Sequence, residues 1–468
     1  MAQRRALDVV AHNVANANTD GYARQEAVLQ ASPPYPFPTA DRYVGAGQLG
    51  TGVDVLAIRR IRDQLLDYQV REQYWALGNS ETTRSYLEQI ELIVNEPSDS
   101  GINTLLNKMW ASWYDLSNNP DSYIAKAAVV QTSTVLADAI KRLAGQVEGM
   151  RLGTDQEIGL KLSDVTSALA EIDELNRKIA TVTAIGDDAN DLRDQRDLLL
   201  DQISRVVQIG YQEEASGAVT VWLGTPKSGA PGSAPLLVEM GGTPAVLRWD
   251  EATGQVLSSF DGAPEVDVTA QVLNGELKAL IDLRVGELDP TNASGFAGRL
   301  ELFADALIAE VNQIVNPLGT GVDFFTPSAG DNDAQLIRVN PAVVADPQLV
   351  PAGTSGEPGD GSIALAVAQL QNTEVSIAGT SVTLGGWYHQ LVSKLGIDSN
   401  QAAALATNQG LLVDHLTNRR ESVSGVSLDE EAANMVRFER AYQAASRVMT
   451  AMDEMLDKLV NGTGIVGR

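Results

Sequence analysis

Between Met435 and Leu459 apolar side chains recur at alternating steps of three and four: Met435, Phe438, Tyr442, Ala445, Met449, Met452, Leu456 and Leu459. No other feature of the chain constrains its fold as tightly. A sustained seven-residue period puts these side chains along one seam of a single α-helix, and such a seam is stable only when another surface covers it. The start of the helix is equally marked. Ser427-Leu-Asp-Glu430 fits a capping box, in which the Ser427 hydroxyl accepts from the Glu430 amide and the Glu430 carboxylate reaches back to the Ser427 amide; Asp429, Glu430 and Glu431 face the positive end of the dipole. A helix over 427–460 is about 50 Å long at ~1.5 Å per residue. One apolar stripe does not offset the entropy of ordering so many residues, so the seam must be matched.

A match exists at the other end of the chain. From Ala2 to about Ala17 the sequence reads as a helix with Leu7, Val10, Val14 and Ala17 at the same 3-4-3 spacing, and Asn18-Thr-Asp-Gly21-Tyr22 stops it. The simplest arrangement pairs the first and last helices of one chain and packs the pair against neighbouring copies. A free monomer then has frayed ends; an intramolecular bundle without assembly is the alternative.

Between the ends, a long helical stretch is expected over 58–94, broken by Pro97 to Gly101, and further helices over 102–117, 121–149, 155–185 and 190–208. Hairpin strands are expected over 44–55, after the proline-rich segment that starts at Ser32. The texture changes at about 209, where Ala218-Val-Thr-Val-Trp-Leu223 and Leu236-Leu-Val-Glu239 read as short strands between turns. Helices resume at 275–282 and 296–315, then at 363–372 and 385–422 with a hairpin between. The expected fold is mainly α with an inserted β domain, with terminal coiled-coil helices and a helical-bundle body. Its parts are a terminal domain (1–40 with 425–468), a body (41–208 with about 286–424) and the β insertion (about 209–285).

Composition narrows the chemistry. The chain contains no cysteine, which excludes a disulfide scaffold, a thiolate metal site and a cysteine nucleophile. Its net charge of −27 argues against nucleic acid as partner. Residues 1–25 carry Arg4, Arg5 and Arg24 against Asp8 and Asp20, and 425–468 are also near neutral, so the charge belongs to the body. No apolar run is long enough for membrane insertion, and the N-terminus has no apolar signal core, so if the protein leaves the cell it is expected to do so without a cleaved signal peptide.

Several apparent sites are not read as chemistry. Gly45-Ala-Gly-Gln-Leu-Gly50 is a G-x-G-x-x-G run, but it leads into a strand, and without a helix terminus there is nowhere for a pyrophosphate. Asp187, Asp188, Asp191, Asp194 and Asp197 alternate with Arg193 and Arg196 and read as a solvated helix face. His12, His389 and His415 lack metal-ligand neighbours at helical spacing. Asn292-Ala-Ser294 and Asn461-Gly-Thr463 are coincidental sequons, and Trp110, Trp113, Trp222, Trp249 and Trp387 read as core or contact anchors. No cofactor, metal or catalytic residue is expected.

The two ends carry a resemblance. Asn13-Val-Ala-Asn16-Ala-Asn-Thr-Asp-Gly21-Tyr22-Ala-Arg24 resembles the N-terminal signature of bacterial flagellar rod, hook and hook-associated proteins. Ser424-Gly-Val-Ser-Leu-Asp-Glu-Glu431, Phe438-Glu-Arg-Ala-Tyr-Gln-Ala-Ala445 and Asp453-Glu-Met-Leu456 resemble the C-terminus of the same superfamily, and Gly50 to Arg71 is also similar to it. The Ser-Gly-Val-x-Leu-Asp-Glu-Glu form is most similar to the hook-associated protein 1 family, the first junction proteins between hook and filament. The resemblance implies an elongated multidomain axial protein, a structural subunit exported unfolded by the flagellar type III apparatus and assembled as a ring at the hook tip. Implied partners are other copies, hook protein below, a second junction protein above and an export chaperone on the C-terminal helix. Fewer residues precede Asn13 than is usual in that family, so part of the first helix is expected to be missing from this sequence. A hook or distal rod protein is the nearest alternative, distinguished by being β-rich where this chain reads as helical; a stand-alone helical binding or enzymatic module is the alternative from another class.

Overall fold

The computed structural model describes residues 1–35, 50–224, 234–319, 321–327, 337–355 and 357–462. The chain is mainly α with an inserted strand region. It opens with α1 (Ala2–Ala15), β1 (Gln25–Ala31) and β2 (Val53–Arg60), then runs through α2 (Gln64–Val94), α3 (Ile102–Asn118), α4 (Tyr123–Ala184) and α5 (Asn190–Val206). The strand region holds β3 (Ile209–Glu213), β4 (Val219–Leu223), β5 (Leu236–Val238), β6 (Val246–Asp250), β7 (Gln255–Ser259) and β8 (Val266–Asp267). After it come α6 (Glu276–Val285), α7 (Phe296–Val315), β9 (Phe325–Thr326), β10 (Arg338–Val339), α8 (Pro341–Ala345), α9 (Ser362–Gln369), β11 (Val375–Ile377), β12 (Thr380–Val382), α10 (Leu384–Ser424) and α11 (Leu428–Gly462).

Caps set the helix limits. The Asp63 side chain accepts from the Leu65 and Leu66 amides at the start of α2, and Asn95 closes that helix in the left-handed region at φ 47°. Ser122 and Thr383 cap α4 and α10 in the same way. The body packs α2 along α10 and α3 between α4 and α9, around Met109, Trp110, Trp113, Phe303 and Tyr388, all buried. Trp222, Trp249 and Trp387 are buried as well, as core anchors.

Two helices differ from the sequence expectation. The break expected between 149 and 155 is absent, and α4 continues for 62 residues, about 90 Å at ~1.5 Å each. Gly149 and Gly153 weaken this stretch, but Arg151 bridges it, donating to Glu148 at 2.7 and 2.8 Å and pairing with Asp155 at 3.6 Å, while Val147 and Ile158 are buried on either side. Residues 58–60, expected at the start of a helix, end β2, which pairs antiparallel with β1 from Gln25↔Arg60 to Ala31↔Val53. The hairpin expected over 44–55 falls partly outside the described residues; those of it that are described belong to β2 and its approach.

The strand region forms two antiparallel three-stranded sheets, β3-β4-β5 and β6-β7-β8. Both dock on α4. The Asn176 amide donates to the Val219 carbonyl at 2.8 Å and accepts from the Val219 amide at 2.9 Å, and the Trp249 indole donates to Asp155 at 2.9 Å. Val219, Val221 and Leu237 share one apolar core with Leu162, Val165 and Ile172 of α4.

Candidate assembly interface

The N-terminal signature folds into a clamp. Asn13, in the last turn of α1, is 1% exposed and uses its whole amide: Nδ2 donates to the Gln25 carbonyl (2.9 Å) and to Glu431 Oε2 (3.2 Å), while Oδ1 accepts from the Tyr22 hydroxyl (2.8 Å) and the Gln25 amide (2.9 Å). Asn16 donates to the His12 carbonyl at 3.0 Å and accepts from Thr19, closing the helix. Gly21 follows at φ +77°, where a Cβ would sit 3.1 Å from Leu198 Cβ on α5. Burial, with Asp191, Asp194 and Glu431 nearby, pushes the Tyr22 phenol far above its usual range, so it stays a donor.

Arg24 joins the two ends of the chain. Its amide donates to the Ser424 carbonyl and its carbonyl accepts from the Ile61 amide, both at 2.8 Å. Its guanidinium reaches Glu430 at 2.6 Å and Glu431 at 2.8 Å. The capping box is therefore half as expected: the Glu430 amide donates to Ser427 Oγ at 3.4 Å, but the Glu430 carboxylate holds Arg24, because the guanidinium brings a positive charge of its own that the neutral Ser427 amide lacks.

Of the acidic run, Asp187, Asp188 and Asp191 are exposed as expected, whereas Asp194 and Asp197 do not form a solvated face. Asp194 and Asp197 are largely enclosed, and with Asp201 they lie on one side of α5 against arginines from three other elements. Arg60 donates to Asp194 and Asp197 at 2.8 Å each, Arg62 to Asp197 at 2.8 Å and to Asp67 at 3.0 Å, Arg71 to Asp201 at 2.6 Å and Arg420 to Asp201 at 2.7 Å. Arg71 also lies over the Tyr211 ring at 4.5 Å, and Arg196, 1% exposed, donates to the Gly217 carbonyl. Burial alone would raise the Asp197 carboxyl, but Arg62, Arg71 and Arg60 bring it down to about 2. At Asp194 burial prevails over the Ala23 amide and Arg60, and its pKa is raised. The network ties β2, α2, α5 and α10 beneath the clamp, since the Ala23 amide donates to Asp194 at 3.0 Å.

The helix seams lie beside their expected positions. On α1 the buried stripe is Ala2, Ala6, Val9 and Asn13 with Val10; Leu7 and Ala17 are half-buried and Val14 is exposed. Asn13 meets Glu431, so α1 and α11 run in opposite senses, and the α11 side turned to α1 is Glu431, Asn434, Phe438 and Ala441. Of the expected seam only Phe438 is on that side. Met435, Tyr442, Ala445, Met449, Met452, Leu456 and Leu459 are exposed, Met449 at 68%. Sequence reasoning missed Glu431, Arg60, Arg62, Arg71, Asp201 and Arg420 as members of the site. Part of the signal was present: Asp194, Asp197 and Asp201 recur at 3-4 spacing and so share one helix face, and Arg59-Arg60-Ile-Arg62 is a basic run, but the two are far apart in sequence.

Comparisons with known proteins agree over the whole chain. Residues 87–325 match the family model described as "Flagellar hook-associated protein FlgK helical domain". Residues 1–22 match "Flagella basal body rod protein" and 420–462 match "Flagellar basal body rod FlgEFG protein C-terminal". The chain is 32% identical over 497 residues to a protein named flagellar hook-associated protein 1 from Bacillus subtilis, covering 100% of this chain and 97% of that one. It is 24% identical over 558 residues to the protein of that name from Salmonella typhimurium, covering 98% and 97%. A solved structure, the flagellar hook junction protein FlgK from Burkholderia pseudomallei, shares the fold with a TM-score of 0.63 at 15% identity, over 76% of this chain and 100% of that one.

Proposed function

The chain belongs to the flagellar hook-associated protein 1 family, and on that premise we propose that it is a structural, non-enzymatic subunit forming the junction between hook and filament of a bacterial flagellum. It leaves the cell unfolded through the flagellar export apparatus and assembles at the hook tip as a ring of copies joined through α1 and α11. Hook protein lies below the ring and a second junction protein above it. Before export, a chaperone covers the seam of α11.

One observation carries this reading: the exposed apolar run Tyr442, Met449, Met452 and Leu456 stands on a helix whose base is locked by Asn13 and Arg24. An apolar stripe held out from a folded body is an interaction surface awaiting a partner. The helical run from α2 to α5 separates this reading from a hook protein, which is expected to be β-rich there. The test is genetic. A strain without this protein is expected to build hooks without filaments, and filaments of normal length on its hooks would sink the proposal.

A further inference from the structure

Among the described residues of α11, Glu431 alone is buried, at 1% exposure. It sits in the first turn, after the short connector Gly425-Val-Ser427, and beyond it the half-buried described residues of the helix are Asn434, Phe438 and Ala441. Its two oxygens have different partners: Oε2 accepts from Asn13 Nδ2 at 3.2 Å, and Oε1 lies 2.8 Å from Arg24 Nε as an ion pair without hydrogen-bond geometry. Arg24 is fixed through its main chain to Ser424 and Ile61, and the Asn13 amide has no bonding capacity left over.

Apolar contacts along a helix tolerate sliding and rocking, whereas a buried carboxylate bonded to an amide on one side and paired with a guanidinium on the other is held directionally. The lever is long. With 35 residues at ~1.5 Å each, α11 extends about 50 Å, so a small angular error at Glu431 displaces Leu459 by many times as much. We propose that Glu431 is the positioning residue that sets the direction in which α11 leaves the body, by locking its first turn onto Arg24 and Asn13. This deepens the junction reading, because copies in a ring match seams only if every α11 leaves at the same angle.

Because the chain has no cysteine, spin labels can be placed at Asn408→Cys on α10 and Arg440→Cys on α11 and the distance between them measured by pulsed electron resonance. The full chain and Asp429→Asn, which removes a charge from the same turn, are expected to give one narrow distance. Glu431→Gln and Glu431→Ala are expected to give a broad distribution while the body keeps its cooperative unfolding. A narrow distance in both Glu431 variants overturns the proposal. Loss of cooperative unfolding in both overturns it too, since the carboxylate would then hold the fold and not the angle. The measurement is made on the purified chain, so failure of the gene to restore filaments would sink the junction reading without touching this result.

Discussion

Asn176 and Val219 exchange two hydrogen bonds, side-chain amide against main-chain amide, at 2.8 and 2.9 Å. Asn176 is fully buried on α4 and Val219 opens the central strand of its sheet. Truncation to Asn176→Ala leaves a buried N–H and C=O unpaired. The expected cost is about 2–6 kcal/mol, from roughly 1–3 for each of the two orphaned groups. Thermal unfolding with a tryptophan signal checks it; a change below ~0.5 kcal/mol would show that water replaces the amide.

The Asp197 carboxyl makes stability depend on acid. Its folded pKa is lowered from 3.8 to about 2, so its contribution is fully present above the unfolded value and is lost as pH falls toward 2. The size is about 2 kcal/mol, at 1.36 per unit. Asp194, whose pKa is raised, acts in the opposite direction: its unfavourable charge is relieved as pH falls, and it offsets part of the loss. Chemical unfolding from pH 5 to pH 2 should show a shallower loss in Asp197→Asn than in the parent.

Gly21→Ala is expected to destabilise the clamp. The position sits at φ +77° and a Cβ would come within 3.1 Å of Leu198 Cβ. The conformational strain is about 1–2 kcal/mol. Hydrogen exchange at the Ala23 and Arg24 amides, which bond to Asp194 and Ser424, should accelerate; unchanged protection would contradict the role of the turn.

Charged substitutions on the outer seam should separate folding from assembly. Met449→Glu and Met452→Glu fall on exposed positions, so monomer stability should change by less than ~0.5 kcal/mol while filaments fail to grow on hooks. Limited proteolysis of the monomer should begin in α11 beyond Ala441 and spare residues 1–31, which α1, β1 and the clamp tie to the body. First cleavage within α1 would overturn that order.

The helices were legible because each carries its period and punctuation nearby. The Pro97 to Gly101 break after α2 and Ser427 at the start of α11 are local signals that tertiary contacts leave in place. The break expected within α4 did not occur because glycine's cost of ~1 kcal/mol is local, whereas the burial on both sides is not. The clamp was legible as a resemblance and not as a mechanism. Asn13 and Glu431 are 418 residues apart, and no spacing rule connects them.

By itself the sequence determined the elements: a helix at each end, a helical body, a strand region after residue 208, and an apolar period too long to stand alone. Those follow from interactions within a few turns of chain. Only the tertiary structure decided which face each terminal helix buries. α1 turns Ala2, Ala6, Val9 and Asn13 inward instead of the stripe through Leu7 and Val14, because the small side chains allow close approach and the Asn13 amide has partners only there. It also decided the fate of the aspartates. Asp194 and Asp197 look like solvent-facing charges until Arg60, Arg62 and Arg71 arrive from elsewhere in the chain, and a buried charge is stable only with such partners in place.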